Sequence, residues 1–209
     1  MKKIMDKFFE MLKINKRIFV FLLVIIVLGI ISGAIFSVMI SNEDKTMVAD
    51  YLNNFFNKLN SNTLNYKNSF LNCFVFTVIF DFIIWLLGIS VIGFFVILIM
   101  VFLKSFVVGF SVASLIINFR LRGILYSIIY IFPHQVIDFL ILIIISSFAL
   151  IISFKLISCI NKKNTLSFKN IINKYILILI LSIVVLILTC LYETYMMPFI
   201  MKMVYGLFN

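Results

Sequence analysis

The sequence predicts an all-α fold, a polytopic membrane helix bundle of about five transmembrane helices with short interfacial helices. Of the 209 residues, 64% are hydrophobic and only 12% are charged, and the mean hydropathy is +1.23. Soluble domains contain about 45–50% apolar and about 25% charged residues, so this composition needs lipid as its solvent. The apolar residues also fall into runs of about 20, the length at which a helix crosses a bilayer.

The first apolar run, residues 18–40, is predicted to be the first span and an uncleaved anchor. It is too long for the apolar core of a signal peptide, which is about 7–15 residues. Residues 1–17 combine lysines with apolar residues at helical spacing. This pattern predicts a short amphipathic helix on the cytoplasmic membrane surface.

The longest polar stretch, residues 41–69, contains a second amphipathic segment. Apolar residues of the segment 46–59 recur at i, i+1, i+4 and i+5, which places them on one helix face. This face either docks a partner protein or rests on the bilayer. The candidate docking residues, including a carboxylate at the end of the last span, are Tyr51, Leu52, Phe55, Phe56 and Glu193.

Residues 70–117 are about twice as long as one crossing, so a turn must divide them. The glycines of the segment 88–93 supply that turn, because glycine tolerates backbone conformations that other residues avoid. The predicted second and third spans are therefore 70–88 and 92–117. Their very short connection makes these two helices antiparallel neighbours.

Two prolines divide the rest of the chain. Residues 123–132 are too short to cross and are predicted to form an interfacial or re-entrant helix, since proline disfavours helix in the residue before it. The fourth span is then 133–157, with a proline at its first position. The fifth is 174–196, which Pro198 breaks or kinks. All five spans belong to a single membrane domain, residues 1–209.

The basic residues predict the orientation of the chain. Eleven Lys and Arg lie on the side of the N-terminus and six on the opposite side. An excess of positive charge marks the cytoplasmic side, so the N-terminus is predicted to be cytoplasmic and the C-terminus outside. The basic residues lie between apolar runs and form no stripe. The net charge of +10 therefore indicates contact with membrane lipid and excludes nucleic-acid binding.

Small residues recur at spacings that let helix backbones approach closely in lipid. They occur in the first span, at the turn and along the third span, and they are Gly29, Gly33, Gly88, Gly93, Ser105, Gly109 and Ala113. They either pack helices within one chain or form an interface with another subunit, which leaves a homo-oligomer possible.

Two ionisable residues, Asp81 and Lys104, lie within predicted spans. Counted from the glycine turn at 1.5 Å per residue, they lie about 10 and about 16 Å deep. A charge at the centre of a bilayer destabilises the inserted state by at least about 2.5–3.5 kcal/mol, so it usually has a partner or a hydrated cavity. The pair is either structural, with Lys104 free to snorkel, or part of an ion or proton pathway.

No catalytic constellation, cofactor motif or metal motif is recognisable, so the sequence predicts a protein that is not an enzyme and has no cofactor. His134 is the sole histidine and is predicted to be an interfacial polar residue. Asp138, about one turn into the fourth span, is predicted to be hydrated. The cysteines Cys73, Cys159 and Cys190 form no disulfide framework and are predicted to be buried, inert thiols.

Several segments resemble one known family. They are Trp85 to Ser90 with Ile92-Gly93, then Phe102-Leu103-Lys104-Ser105 and Gly109-Phe110, the Phe132-Pro133 pair, and the ending Glu193 to Pro198. Together with the length, the five spans and the basic N-terminus, they are similar to the stage II sporulation protein M family. The resemblance covers nearly the whole chain.

The resemblance implies a mother-cell, septal membrane protein of endospore formation. It implies a scaffold that localises a peptidoglycan-degrading complex with stage II sporulation proteins P and D for septal wall remodelling and forespore engulfment. It implies no hydrolase chemistry in the chain itself. The alternative from the residues is a small membrane transporter or permease subunit that uses Asp81 and Lys104, and a third, an intramembrane enzyme, lacks a visible nucleophile–base pair.

Overall fold

The computed structural model of the protein describes residues 16–61, 63–90, 92–162 and 168–208, and helices account for most of this part of the chain. We number them α1 (Lys16–Met39), α2 (Asn42–Asn60), α3 (Tyr66–Gly88), α4 (Gly93–Phe119), α5 (121–162) and α6 (168–208). All except α2 are long and apolar enough to cross a membrane. The predicted all-α membrane bundle is therefore confirmed. The amphipathic segment predicted at the N-terminus lies almost wholly outside the described residues.

The predicted start of the fourth span, residue 133, differs from the structure, in which the helix begins at Leu121. Residues 123–132 do not form a separate re-entrant helix, because they belong to the same continuous helix, α5, as the residues that follow. Likewise, α6 continues beyond Pro198, which neither ends nor interrupts it.

Three π-helical turns lie in the described helices, and two of them explain how α5 and α6 continue past a proline. They are Val75–Ile79 in α3, Ser127–Ile131 in α5 and Tyr192–Met196 in α6. Pro133 and Pro198 each follow the end of a π turn by two residues. A proline ring clashes with the carbonyl four residues earlier in an α-helix, whereas the wider π turn displaces that carbonyl.

Helix α5 lies at the centre of the bundle. Of its most apolar window, 61% is buried inside the protein, against 17–33% for the other spans. It packs against α3, α4 and α6, while α1 packs mainly against α4. The core between them contains Leu22, Ile84, Ile97, Leu142, Leu150 and Leu186. The outer faces carry exposed Val, Leu, Ile and Phe side chains, as expected for helices in contact with lipid.

Helices α1 and α4 approach closely because small residues meet at their interface. A Cβ atom added to Gly33 would collide with the carbonyl of Phe106, and one added to Gly109 would collide with Ile30. Gly29 lies against Ser105 in the same way. At the far end Ser37 and Ser114 are hydrogen-bonded at 2.9 Å, and the neighbouring Ala113 is half-buried. The small residues of these two helices thus pack within one chain.

The two ends of the bundle differ. We call one the α2 side, because it carries α2, and the opposite one the turn side, because it carries the α3–α4 turn. In that turn a Cβ on Gly93 would collide with the Leu87 carbonyl, and one on Gly88 would collide with Ala149 and Tyr175. The Tyr175 hydroxyl donates to the Trp85 carbonyl at 2.7 Å, and the Trp85 indole donates to the Tyr175 carbonyl at 3.2 Å. This reciprocal pair fastens α6 to the end of α3.

The glycine contact between α1 and α4 gives a direct test. We expect Gly33→Val to weaken the packing of α1 and to lower the free energy of unfolding by about 1–3 kcal/mol, as overpacking commonly does. The measurement is reversible unfolding of the detergent-solubilised protein in sodium dodecyl sulfate, followed by circular dichroism. Ala34→Val, at the half-buried next residue, is the control. Equal effects of the two substitutions would contradict the close approach.

Candidate functional site

A polar cavity of about 920 Å³ enters the bundle from the α2 side, and we call it the polar funnel. Five of the six helices contribute to it. Its lining consists of Tyr51, Asn54, Phe55, Lys58, Leu64, Asn65, Asn68, Ser69, Asn72, Cys73, Phe76, Thr77, Phe80, Leu103, Lys104, Val107, Val108, Tyr130, His134, Gln135, Asp138 and Glu193.

The funnel reaches the middle of the membrane. Along α3 its lining extends from Asn65, just before the helix, to Phe80. At 1.5 Å per residue this is a depth of about 20 Å, more than half of the hydrocarbon thickness. On α4 the lining ends near Lys104, which lies close to the middle of that helix. A polar cavity this deep gives the intramembrane charges access to polar surroundings.

The structure brings Asp81 and Lys104 together at the deep end of the funnel. Lys104 Nζ lies 3.1 Å from Asp81 Oδ1, and Asp81 is only 1% exposed. The ammonium group also lies 5.5 Å from the centre of the Phe80 ring. Asp81 Oδ2 is buried and has no hydrogen-bond partner among the described residues. The pair joins α3 to α4, and each member offsets the cost of burying the other.

Ionisable side chains of α5 and α6 also face the funnel. His134 is buried at 7% exposure, so its side chain faces the inside of the bundle, and its interfacial depth in the membrane stays a prediction. Its Nε2 lies 3.8 Å from Glu193 Oε2, longer than a hydrogen bond. Asp138 is also buried but lines the funnel, and its Oδ1 accepts a hydrogen bond from the Thr189 hydroxyl at 3.2 Å. Glu193 therefore turns into the bundle, although the sequence suggested that it reaches outward.

Two cysteines are paired, contrary to the sequence-based expectation. Cys73 of α3 and Cys190 of α6 form a disulfide across 117 residues, with their Cα atoms 5.8 Å apart. A cross-link of this kind contributes about 2–4 kcal/mol to stability. Glu193 Oε2 lies 3.1 Å from the Cys73 sulfur. In the disulfide form Cys73 has no S–H to donate, so this separation is a contact and not a hydrogen bond. The side chain of Cys159 lies outside the described part of the chain.

All three π turns contribute to the funnel. Phe76 and Thr77 come from the first, Tyr130 from the second and Glu193 from the third. A π turn inserts one residue and leaves backbone groups out of register, which directs side chains that a regular helix would place elsewhere. The irregular turns of three different helices thus meet around one cavity, and such turns occur frequently at functional sites.

The candidate docking face of α2 is largely covered by the bundle itself. Phe56 is only 2% exposed, and its ring centre lies 5.0 Å from that of Phe119 and 5.1 Å from that of Tyr126. The prediction that Phe56 docks a partner was therefore wrong, because the apolar face of α2 packs on the ends of the spans. Leu52 and Phe55 are half-buried, whereas Tyr51 is 74% exposed.

The sequence reasoning missed the amides of the funnel. Asn65, Asn68 and Asn72 recur at i, i+3 and i+7, a spacing that places them on one face of a helix. This spacing is the signal in the sequence that could have identified them. Within the described ranges no group of three His, Cys, Asp or Glu side chains is arranged to hold a metal ion.

Comparison with known protein families identifies a match over most of the chain. The model of the family described as stage II sporulation protein M matches residues 18–198. This range includes the funnel, α2 and three complete spans, together with most of the first and fifth spans. No curated protein and no solved structure matches the chain.

The Asp81–Lys104 pair can be tested by a double-mutant cycle. We expect Asp81→Asn or Lys104→Met alone to lower the free energy of unfolding by about 3–5 kcal/mol, because each leaves an uncompensated buried charge. The double variant should lose much less than the sum of the two single losses. Unfolding in detergent is the measurement, and Asp50→Asn on the exposed face of α2 is the control. Additive losses would show that the two side chains do not interact.

Proposed function

This chain belongs to the stage II sporulation protein M family, a family of sporulation-associated membrane proteins, and we propose that it is a non-catalytic membrane scaffold. In this proposal it localises peptidoglycan-degrading enzymes for septal wall remodelling and forespore engulfment. Its partners are stage II sporulation proteins P and D, and its location is the septal membrane of the mother cell. The family match over residues 18–198 is the observation on which the proposal rests.

The position of α2 supports the scaffold role. A scaffold needs a surface that is held in a fixed position relative to the membrane. Phe56, Leu59, Leu115, Tyr126 and Met201 form a buried cluster that fastens α2 to the ends of the spans. The opposite face of α2 remains exposed and carries polar side chains. Of the candidate docking residues, Tyr51 is the one best placed to contact a partner.

We propose that the α2 side faces outward and that the N-terminus is cytoplasmic. The excess of Lys and Arg on the N-terminal side supports this orientation. The Cys73–Cys190 disulfide supports it independently, because it lies in the half of the bundle near α2 and disulfides persist in oxidising compartments outside the cytoplasm. A hydrolase of the septal wall would meet the protein on that same side.

A transporter or permease subunit is the second candidate function, and the polar funnel is the observation that favours it. Transporters hold substrate and coupling ions near the middle of the membrane, and the funnel ends there at Lys104. The Asp81→Asn/Lys104→Met double variant separates the two functions. A scaffold in which both charges are neutralised still recruits its partners, whereas a coupled transporter loses solute flux.

The scaffold role can be tested at Tyr51. We expect Tyr51→Asp to reduce hydrolase recruitment about tenfold, which corresponds to about 1.4 kcal/mol at a single contact. The measurement is the amount of wall hydrolase that copurifies with tagged, detergent-solubilised protein from sporulating cells, determined by mass spectrometry.

Asn53→Asp is the matched control, because it adds the same charge to an exposed position about 200° around α2 from Tyr51. Recovery of wall hydrolases with the wild type and the control, but not with the Tyr51 variant, is the expected result. Equal recovery with both variants would exclude α2 as the docking surface. Recovery of no wall hydrolase with the wild type would contradict the scaffold itself.

A further inference from the structure

A second cavity adjoins the polar funnel. It has a volume of about 550 Å³ and lies between α2, α4 and the ends of α5 and α6, and we call it the apolar groove. Tyr51, Phe55, Val107, Tyr130 and His134 line both cavities. The two spaces therefore share one wall. Each has the volume of an ordinary small-molecule site, for which about 300–1,000 Å³ is typical.

The two cavities differ in polarity. Met47, Leu52, Phe110 and Leu115 are typical of the groove, whose lining is mainly aliphatic and aromatic. The funnel instead presents the amides of Asn54, Asn65, Asn68 and Asn72, which do not line the groove. A single ligand that fills both spaces must have a polar part and an apolar part. The groove lies among membrane-spanning helices, so an amphiphile from the bilayer can supply both.

The charges of the funnel indicate which polar part fits. Two cationic side chains, Lys58 and Lys104, line it together with two carboxylates, Asp138 and Glu193. Lys104 is already paired with Asp81 at 3.1 Å, which leaves Lys58 against two carboxylates, so a phosphate-bearing headgroup finds no excess of positive charge. Amides and carboxylates offer both donors and acceptors, which hydroxyl groups can match in either role. A neutral headgroup rich in hydroxyl groups satisfies this lining best.

We propose that the polar funnel and the apolar groove together bind one glycolipid, with its neutral saccharide headgroup in the funnel and an acyl chain in the groove. Asn54 and the α3 amides contact the headgroup, and aromatic rings such as Tyr130 offer flat surfaces for the sugar. Helix α2 covers the ligand. This site does not depend on the scaffold role, because its ligand comes from the membrane and not from a protein partner.

The experiment uses the full chain purified in lauryldimethylamine oxide, a detergent without a sugar headgroup. The probe is a diglucosyl diacylglycerol with a diazirine in one acyl chain, and phosphatidylglycerol and phosphatidylethanolamine with the same diazirine serve as comparisons. After illumination, mass spectrometry identifies the labelled peptides. We expect the glycolipid to label peptides of α2 and of α4 around Val107 and Ser111, and the two phospholipids to label them far less.

Two pairs of variants test the two cavities separately. Asn54→Leu removes a funnel amide and should reduce labelling about five- to tenfold, the effect of losing one hydrogen bond. Asn53→Leu is its control, since Asn53 does not line the funnel. Val107→Trp places a larger side chain in the wall that the two cavities share. This side chain fills part of the groove and should abolish labelling of the peptides that line it. Val96→Trp is its control, because Val96 lies on nearly the same face of α4 three turns away and lines neither cavity.

Each outcome is decisive. Reduced labelling in Asn54→Leu and Val107→Trp, with wild-type labelling in both controls, supports the proposal. Equal labelling by phospholipids and glycolipid overturns the assignment of the headgroup. Unchanged labelling of Asn54→Leu overturns the proposed site. Because Asn54 is exposed, this substitution leaves the core untouched. The result therefore stands even where Val107→Trp misfolds.

Discussion

The structure depends on one constraint, which is that a polar group inside the hydrocarbon region is costly unless a partner within the protein or a polar cavity compensates it. The Asp81–Lys104 pair follows this constraint most clearly, because the two side chains lie 3.1 Å apart and Asp81 is only 1% exposed. Smaller groups follow it too. The hydroxyls of Ser105 and Ser127 donate to the carbonyl one turn earlier, and Ser37 bonds Ser114 across the α1–α4 interface. The Asp138 carboxylate accepts a hydrogen bond from Thr189.

The same constraint explains the shape of the funnel. Where prolines remove backbone donors from α5 and α6, π turns allow both helices to continue across the membrane. The turns also direct Tyr130 and Glu193 toward α3, where a third π turn presents Thr77. Side chains that would be costly against lipid are thereby collected around one cavity. These polar side chains face the funnel, where a ligand or water can contact them, and not the lipid.

The number of the spans could be predicted from the sequence, because the bilayer fixes how many apolar residues a crossing needs, but the fourth and fifth helices are longer than predicted. The glycines of α1 and the turn were identified for a similar reason, since close backbone approach requires them. The continuity of α5 could not be predicted, because the rule that proline ends a helix assumes an α-turn before Pro133. The disulfide was missed because Cys73 and Cys190 are brought together only by the packing of α3 on α6. The pattern of α2 identified its apolar face correctly, but periodicity cannot distinguish a face that docks a partner from one that, like Phe56, packs on its own chain.

The central claim is that the polar funnel admits water from the α2 side, which we propose faces outward, as far as the middle of the membrane. Its most direct test is thiol labelling of intact cells with a membrane-impermeant maleimide, for the variants Ser69→Cys, Thr77→Cys and Ser90→Cys, each made in a Cys159→Ser background. Ser69 lies at the mouth of the funnel, Thr77 lies deep inside it, and Ser90 lies in the turn on the other side. We predict labelling of Ser69→Cys and Thr77→Cys in intact cells, and labelling of Ser90→Cys only after the membrane is permeabilised. Labelling of Ser69→Cys without Thr77→Cys would show that the funnel is closed to water, and labelling of Ser90→Cys alone in intact cells would show that the orientation is reversed.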